Sequence, residues 1–161
     1  MKRLFLARAC VTLACFASFC GHAFAQSQSD GTKEAARAIY PEIAGLPLHA
    51  VCVRDFFDEH GKPFVLGKSI AARFSSALSE QRGPLTIASR ARLRIIEERY
   101  KWTGVDLTDS TYAERFSEEM GVEGFLQGQI SEAPGEYRVS LTLLDRQGHE
   151  LLRRTFVRKN D

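Results

Sequence analysis

From His49 onward the apolar positions change period in a way that predicts alternating strands and helices. His49–Phe57 alternates and carries Val51, Val53 and Phe56, the period-two pattern of a strand. Asp58-Glu59-His60-Gly61-Lys62-Pro63 is a polar turn. Over Leu66–Gln81 the period lengthens. Ile70, Phe74 and Leu78 recur every fourth residue beside Ala71 and Ala77, which gives a helix one apolar stripe. Gly83-Pro84 predicts its stop, the glycine as a left-handed cap and the proline because it cannot continue a helix. Leu85–Ala88 is short and apolar, a second strand. Ser89 stands where an N-cap belongs, ahead of a helix over Arg90–Lys101 that turns Leu93, Ile96 and Tyr100 inward. Arg92, Arg94, Glu97, Glu98 and Arg99 are assigned to its solvated side.

Thr111-Tyr112-Ala113-Glu114 has the capping-box pattern, and the helix it opens places Tyr112, Phe116 and Met120 on one face before Gly121 ends it. Val122–Ile130 is apolar and glycine-containing, a buried strand. After Pro134-Gly135, Tyr137, Val139, Leu141 and Leu143 alternate with Arg138, Ser140 and Thr142, a half-buried strand. Asp145-Arg146-Gln147-Gly148 turns the chain into a last strand, Glu150–Val157, with Leu152 and Phe156 on one face. The predicted fold class is α/β. It is a single domain over 48–161 in the order β-α-β-α-α-β-β-β, with a mixed sheet of about five strands and about three packed helices. The β-α-β opening requires crossover helices packed on the sheet, and the last three strands can form a meander.

The residues ahead of this domain change the bulk properties. Lys2, Arg3 and Arg8 precede an apolar stretch around Val11–Phe19, and Ala23-Phe24-Ala25 is a small-x-small cleavage signature. Residues 1–25 therefore have the layout of a secretory signal peptide, too short in its apolar part for a permanent membrane helix of about 20 residues. The 26–47 segment is expected to be a flexible leader, with a short helix over Thr32–Tyr40 stopped by Pro41. Removing 1–25 leaves 19 basic against 20 acidic residues, so the basic excess of the whole chain disappears. With it goes the electrostatic case for nucleic acid as a partner. Three of the four cysteines, Cys10, Cys15 and Cys20, lie in the same stretch. Lipidation at Cys15 or Cys20 is an alternative processing route, although Thr12-Leu13-Ala14 and Ala17-Ser18-Phe19 match the required small-residue pattern only in part. Cys52 is left alone, as a buried small apolar residue or a reactive or dimer-forming thiol.

Candidate chemistry is sparse. The chain has no Gly-x-Ser-x-Gly, His-Glu-x-x-His, P-loop or Gly-x-Gly-x-x-Gly pattern. Gly121, Gly124 and Gly128 lead into a strand, so close backbone approach explains Gly124 and Gly128 better than phosphate binding does. His49, His60 and His149 lack metal-ligand spacing. Asp55 and Asp58 flank the C-terminal end of the first strand, where open α/β sheets tend to hold ligands. A binding role for Asp55 together with Arg90 stands beside a plain turn or cap role. Tyr100 and Trp102 fit either the rim of the core or a partner anchor. Arg153-Arg154 and Arg158-Lys159 fit the exposed side of an edge strand, protected by charge or open to strand addition.

Several stretches together resemble a known group. Val51-Cys52-Val53-Arg54-Asp55-Phe56, then Leu66-Gly67-Lys68-Ser69-Ile70-Ala71 with Leu78, resemble the opening strand and helix of the CsgG-like, FlgO-like and TolB N-terminal-like bacterial envelope domains. Ile87-Ala88-Ser89-Arg90 with Leu93, Ile96, Glu97 and Glu98 resembles their second strand and following helix. Gly121–Ile130, Tyr137–Leu144 and Glu150–Val157 resemble their final strands. The resemblance implies a non-enzymatic module of envelope or surface-appendage assembly or secretion. It implies protein–protein contact with an envelope protein or with itself, and no cofactor, metal or catalytic residue. The expected location is the periplasm, with peripheral outer-membrane contact and no transmembrane helix after residue 25. The alternatives are a regulator of cell-wall synthesis, which similar small domains fit, and a periplasmic small-ligand receptor or enzyme.

Overall fold

The computed structural model describes residues Cys20–Lys159; the apolar stretch Val11–Phe19 and Cys15 lie outside them. The elements are α1 (Cys20–Ala44), β1 (Ala50–Val53), α2 (Val65–Ser79), β2 (Thr86–Ile87), α3 (Arg90–Tyr100), α4 (Ser110–Met120), β3 (Gly124–Ala133), β4 (Glu136–Asp145) and β5 (Glu150–Lys159). One five-stranded sheet has the order β2-β1-β3-β4-β5. β1 runs parallel to β2 and to β3, and β3, β4 and β5 form an antiparallel meander. The α/β class, the mixed sheet and the element order from β1 onward are as the periodicity predicts. α1 is a fourth helix in front.

α1 is longer than the short helix expected over 32–40, and it runs through Pro41. A proline inside a helix forfeits a backbone hydrogen bond and costs about 3 kcal/mol. Here it lies in the last turn. Burial of Tyr40 and Ile43 on either side offsets the loss, and Gly45 N–H to Pro41 O (3.0 Å) closes the end. The expectation of a leader outside the packed domain is corrected by the same residues. Gln26–Gly31 is helical, and Ala36, Ile39, Tyr40 and Ile43 belong to the core.

The helices cover both faces of the sheet. α1 and α2 pack over Val51, Val53, Leu126, Ile130, Leu141 and Leu143. α3 and α4 pack over Cys52, Phe125 and Leu144, the alternate positions of the same strands. β1 is shorter than His49–Phe57 because of an extra residue. Val53 pairs with Leu126 and Phe57 bridges to Gln129, so four steps on one chain oppose three on the other. That irregularity sends Phe56 under α1 and α2, wholly buried.

Two local expectations change. α2 ends at Ser79 with Glu80 in the right-handed region (φ −73°), so Gly83 is not its left-handed cap. Gly83 instead leaves room for the Tyr40 hydroxyl, which occupies the place of a side chain there. α4 is capped by Asp109, whose carboxylate accepts from Thr111 N–H (2.9 Å), rather than by a box starting at Thr111. The register therefore turns Ala113, Phe116 and Met120 inward and leaves Tyr112 exposed.

Candidate functional site

The strand end flagged by Asp55 and Arg90 is a four-charge cluster. Arg90, the first residue of α3, donates to Val53 O (2.8 Å) and pairs with Asp55. Beside them Arg54 is 1% exposed. Its guanidinium donates to Val105 O (2.9 Å) and Trp102 O (3.4 Å) and lies 3.5 Å from the Glu97 carboxylate. It also sits over the Phe57 and Phe116 rings at 5.8 and 5.5 Å. Glu97 is thus buried, against its assignment to the solvated side of α3. The helix is sandwiched between solvent and sheet, and this position turns toward β1 where Arg54 needs a counter-charge. Burial pushes the Glu97 carboxyl above its usual range, and Arg54 pulls the other way.

Chemically the cluster is a fastener. Each arginine pairs with a carboxylate and donates to backbone carbonyl oxygen, two for Arg54 and one for Arg90, which ties β1 to α3 and to the 102–105 segment, while the Nε of each is buried without a hydrogen-bond partner. Cys52 nearby is buried and its thiol is pushed up to about 12, mainly by desolvation, so it carries no thiolate at neutral pH. The groove lined by Asp55, Lys68, Arg90, Arg94 and Glu98 holds about 530 Å³ and is open along one side, unlike the deep closed pocket a small-ligand site needs. Sequence reading missed Arg54. Its signal was a charged residue two positions after Cys52, on the strand face where Cys52 was read as buried.

The other flagged residues fall apart from one another. Asp58 accepts from His60 and Lys62 N–H (2.9 and 2.7 Å) and shapes its own turn. His49, His60 and His149 have highly exposed side chains near Glu123, Glu59 and Asp145 respectively. Among the described residues no group of three or more His, Cys, Asp or Glu could hold a metal ion. Trp102 is buried and stacks on Tyr100 at 4.5 Å, with Arg115 over both rings, so the pair belongs to the core of this face. Gly128 lies where a Cβ would come within 2.6 Å of the Phe56 ring, and Gly124 is pressed against Val51 and Leu144 O. Both glycines serve close approach.

Three surfaces remain. Under α1 and α2 a hollow of about 500 Å³ is lined by Ala35, Ile70, Phe74, Val139 and Phe156. On the opposite face, beyond the reach of α3 and α4, Gln127, Gln129, Ser140, Thr142 and Arg153 line a polar hollow of about 390 Å³. At the end of the sheet, β5 exposes Arg153, Arg154, Thr155 and Val157. Arg153 pairs with Glu150 and Arg154 with Glu42 of α1, all partly exposed. Exposed pairs of this kind contribute about 0–1 kcal/mol each. No helix among the described residues is long and apolar enough to cross a membrane.

The fold and these surfaces define a class: a five-stranded mixed sheet, parallel at one end and a meander at the other, with helices on both faces and an open sheet edge. Solved structures of the LpoB C-terminal domain share this fold. The domain from Salmonella enterica matches with a TM-score of 0.59 and 13% identity, over 80% of this chain and 98% of that one. The Escherichia coli domain matches with a TM-score of 0.62 and 12% identity, over 83% and 98%. The solution structure of Escherichia coli LpoB matches at 0.60 and 14%, over 78% of this chain and 66% of that one. No protein-family model and no curated protein matches the sequence.

Proposed function

We propose that this protein is an exported, non-catalytic module of the bacterial cell envelope that works by protein–protein contact, as a regulator of cell-wall synthesis. The observation that carries the reading is the fold likeness to the LpoB C-terminal domain, which spans 98% of that domain. It favours cell-wall regulation over the appendage-assembly role implied by the CsgG-like resemblance. The strand-end charges support it too, because they pair with one another and hold β1, α3 and the 102–105 segment together. In this reading the chain is cut after Ala25 and acts in the periplasm.

Crosslinking and mass spectrometry in its own cells test the reading, followed by addition of the purified protein to each crosslinked cell-wall synthase. The expected result is a crosslink to a synthase and a changed rate of glycan-strand polymerisation or crosslinking. Unchanged rates with every cell-wall synthase of the cell overturn the regulatory role. Crosslinks confined to a secretion or appendage component return the reading to assembly.

A further inference from the structure

The two edges of the sheet leave very different amounts of backbone open. β2 is two residues long and lies between α2 and α3, whose side chains line the groove beside it. β5 is ten residues long and, among the described residues, has no strand beyond it. Its register with β4 passes from Leu143–Leu152 to Leu144–Glu150, which leaves Leu151 as the extra residue of a bulge. From Leu152 to Lys159 the pairing is regular. A free edge of that length is a row of N–H and C=O groups ready to template another strand. Proteins commonly blunt such an edge with charge, a proline, a bulge or a short strand, and charge repels only a strand of like sign. Leu152–Lys159 has no proline, and the bulge sits at one end.

Charge says what kind of strand would fit. β5 holds Arg153, Arg154, Arg158 and Lys159 against Glu150, while the rest of the chain has 18 basic and 19 acidic residues. The basic excess is therefore concentrated in the sequence of β5. The Arg153 and Arg154 side chains are 61% and 50% exposed, and their pairs with Glu150 and Glu42 are surface pairs that exchange partners at little cost. Arg153, Thr155 and Val157 alternate on the uncovered face, and Val157 is 55% exposed, which adds an apolar foothold.

We propose that the outer edge of β5, over Leu152–Lys159, takes up an extended acidic segment of a partner protein by strand addition. The inference rests on the protein-contact reading above and names the surface and chemistry of that contact. Main-chain hydrogen bonds hold the segment, and Arg153 on the uncovered face and Arg154 on the α1 side each select a carboxylate on their own face of it. A second copy of this chain fits less well. Two copies of Leu152–Lys159 paired antiparallel about their common centre set position 153 of one opposite position 158 of the other, arginine against arginine, and like charges across a ladder destabilise it.

Hydrogen–deuterium exchange on the protein tests this directly. The probe is a synthetic peptide of the length of β5 alternating Glu and Val, and the control alternates Lys and Val. The expected result is about tenfold slower exchange confined to β5 with the Glu peptide. The effect fades as salt is raised and is absent with the Lys peptide. The double variant Arg153→Glu/Arg154→Glu loses the protection, whereas Arg153→Lys/Arg154→Lys keeps it. The thermal transition of each variant verifies folding. Unchanged exchange of β5 with the Glu peptide overturns strand addition, and equal protection by both peptides overturns the charge selection. Protection that grows with protein concentration alone assigns the edge to a second copy and overturns the partner. Peptide protection without any effect on cell-wall synthases leaves this inference standing and removes the regulatory role.

Discussion

The two faces of the sheet are held by different means. Under α1 and α2 the buried cluster is apolar apart from the Tyr40 hydroxyl and, among the described residues, carries no buried ion pair, and the fit is set by missing side chains. Phe56 fills the space over Gly128, and its carbonyl abuts Gly67. Under α3 and α4 an aromatic row, Trp102, Phe116 and Phe125, shares its interior with the Arg54–Glu97 pair. Shape complementarity supplies stability on the first face. On the second, part of the interior is charge, which has to be desolvated before it attracts. The difference teaches that the second face trades stability for a fixed placement of the 102–105 segment against β1. That is a hypothesis which substitutions can break.

The largest expected effects separate the two mechanisms. Phe56→Ala should lose about 3–5 kcal/mol, because it empties a site lined by a glycine that cannot refill it. Arg54→Met and Glu97→Leu should each cost about 3–5 kcal/mol alone, by leaving a buried charge unpaired. Made together they should cost less than either one. Urea denaturation of the single and double variants measures this. A double variant as unstable as the sum of its parts would show that Arg54 and Glu97 are not coupled as a pair, and the contrast between the faces would fall. Gly128→Ala should cost less, about 1–3 kcal/mol, since a single methyl forces the Phe56 ring to shift.

The same contrast explains what could be read in the sequence. The apolar stripe of Ile70, Phe74 and Leu78 and the alternation of β4 were legible, since packing against a sheet demands those periods. α1 was not legible as a core helix. Pro41 and the polar run before it imitate a linker, and only the partners of Ile39, Tyr40 and Ile43 reveal the burial. The charge pairs were harder still. Glu97 shares its spacing with ordinary surface glutamates, and what distinguishes it is Arg54, 43 residues earlier in the chain. For the candidate site, Arg90 with Asp55 and the arginines of β5 were visible as residues. Their roles were not, because pairing and exposure are set by the register of the whole sheet.

Titration should show the faces differing in sign from the turns. The Glu97 carboxyl is raised above its ordinary 4.5 by burial, with Arg54 opposing. The folded state therefore binds this proton more readily than the unfolded chain does. Its contribution to stability is full below pH 4.5 and is lost as pH rises through the raised value. At Asp145 desolvation pushes upward, but hydrogen bonds from the His149 and Gln147 N–H groups outweigh it and hold the carboxyl below its ordinary 3.8. That contribution is present above pH 3.8 and is lost as pH falls through the lowered value. Stability measured against pH should fall less steeply above pH 4.5 in Glu97→Gln than in the parent chain. It should fall less steeply below pH 3.8 in Asp145→Asn. The same slope for Glu97→Gln and parent would mean that Glu97 titrates as a solvated residue.

The smallest expected effect lies where α1 meets the sheet edge. Arg154→Ala and Glu42→Ala should each change stability by no more than about 1 kcal/mol, because the pair they form is half exposed. The coupling between them in a double-mutant cycle should shrink further in high salt. This weak coupling is what frees Arg154 to meet an incoming carboxylate. A coupling that is large and indifferent to salt would mean that Glu42 pins β5 to α1. The open edge would then resemble the buried pair of the second face more than a surface waiting for a partner.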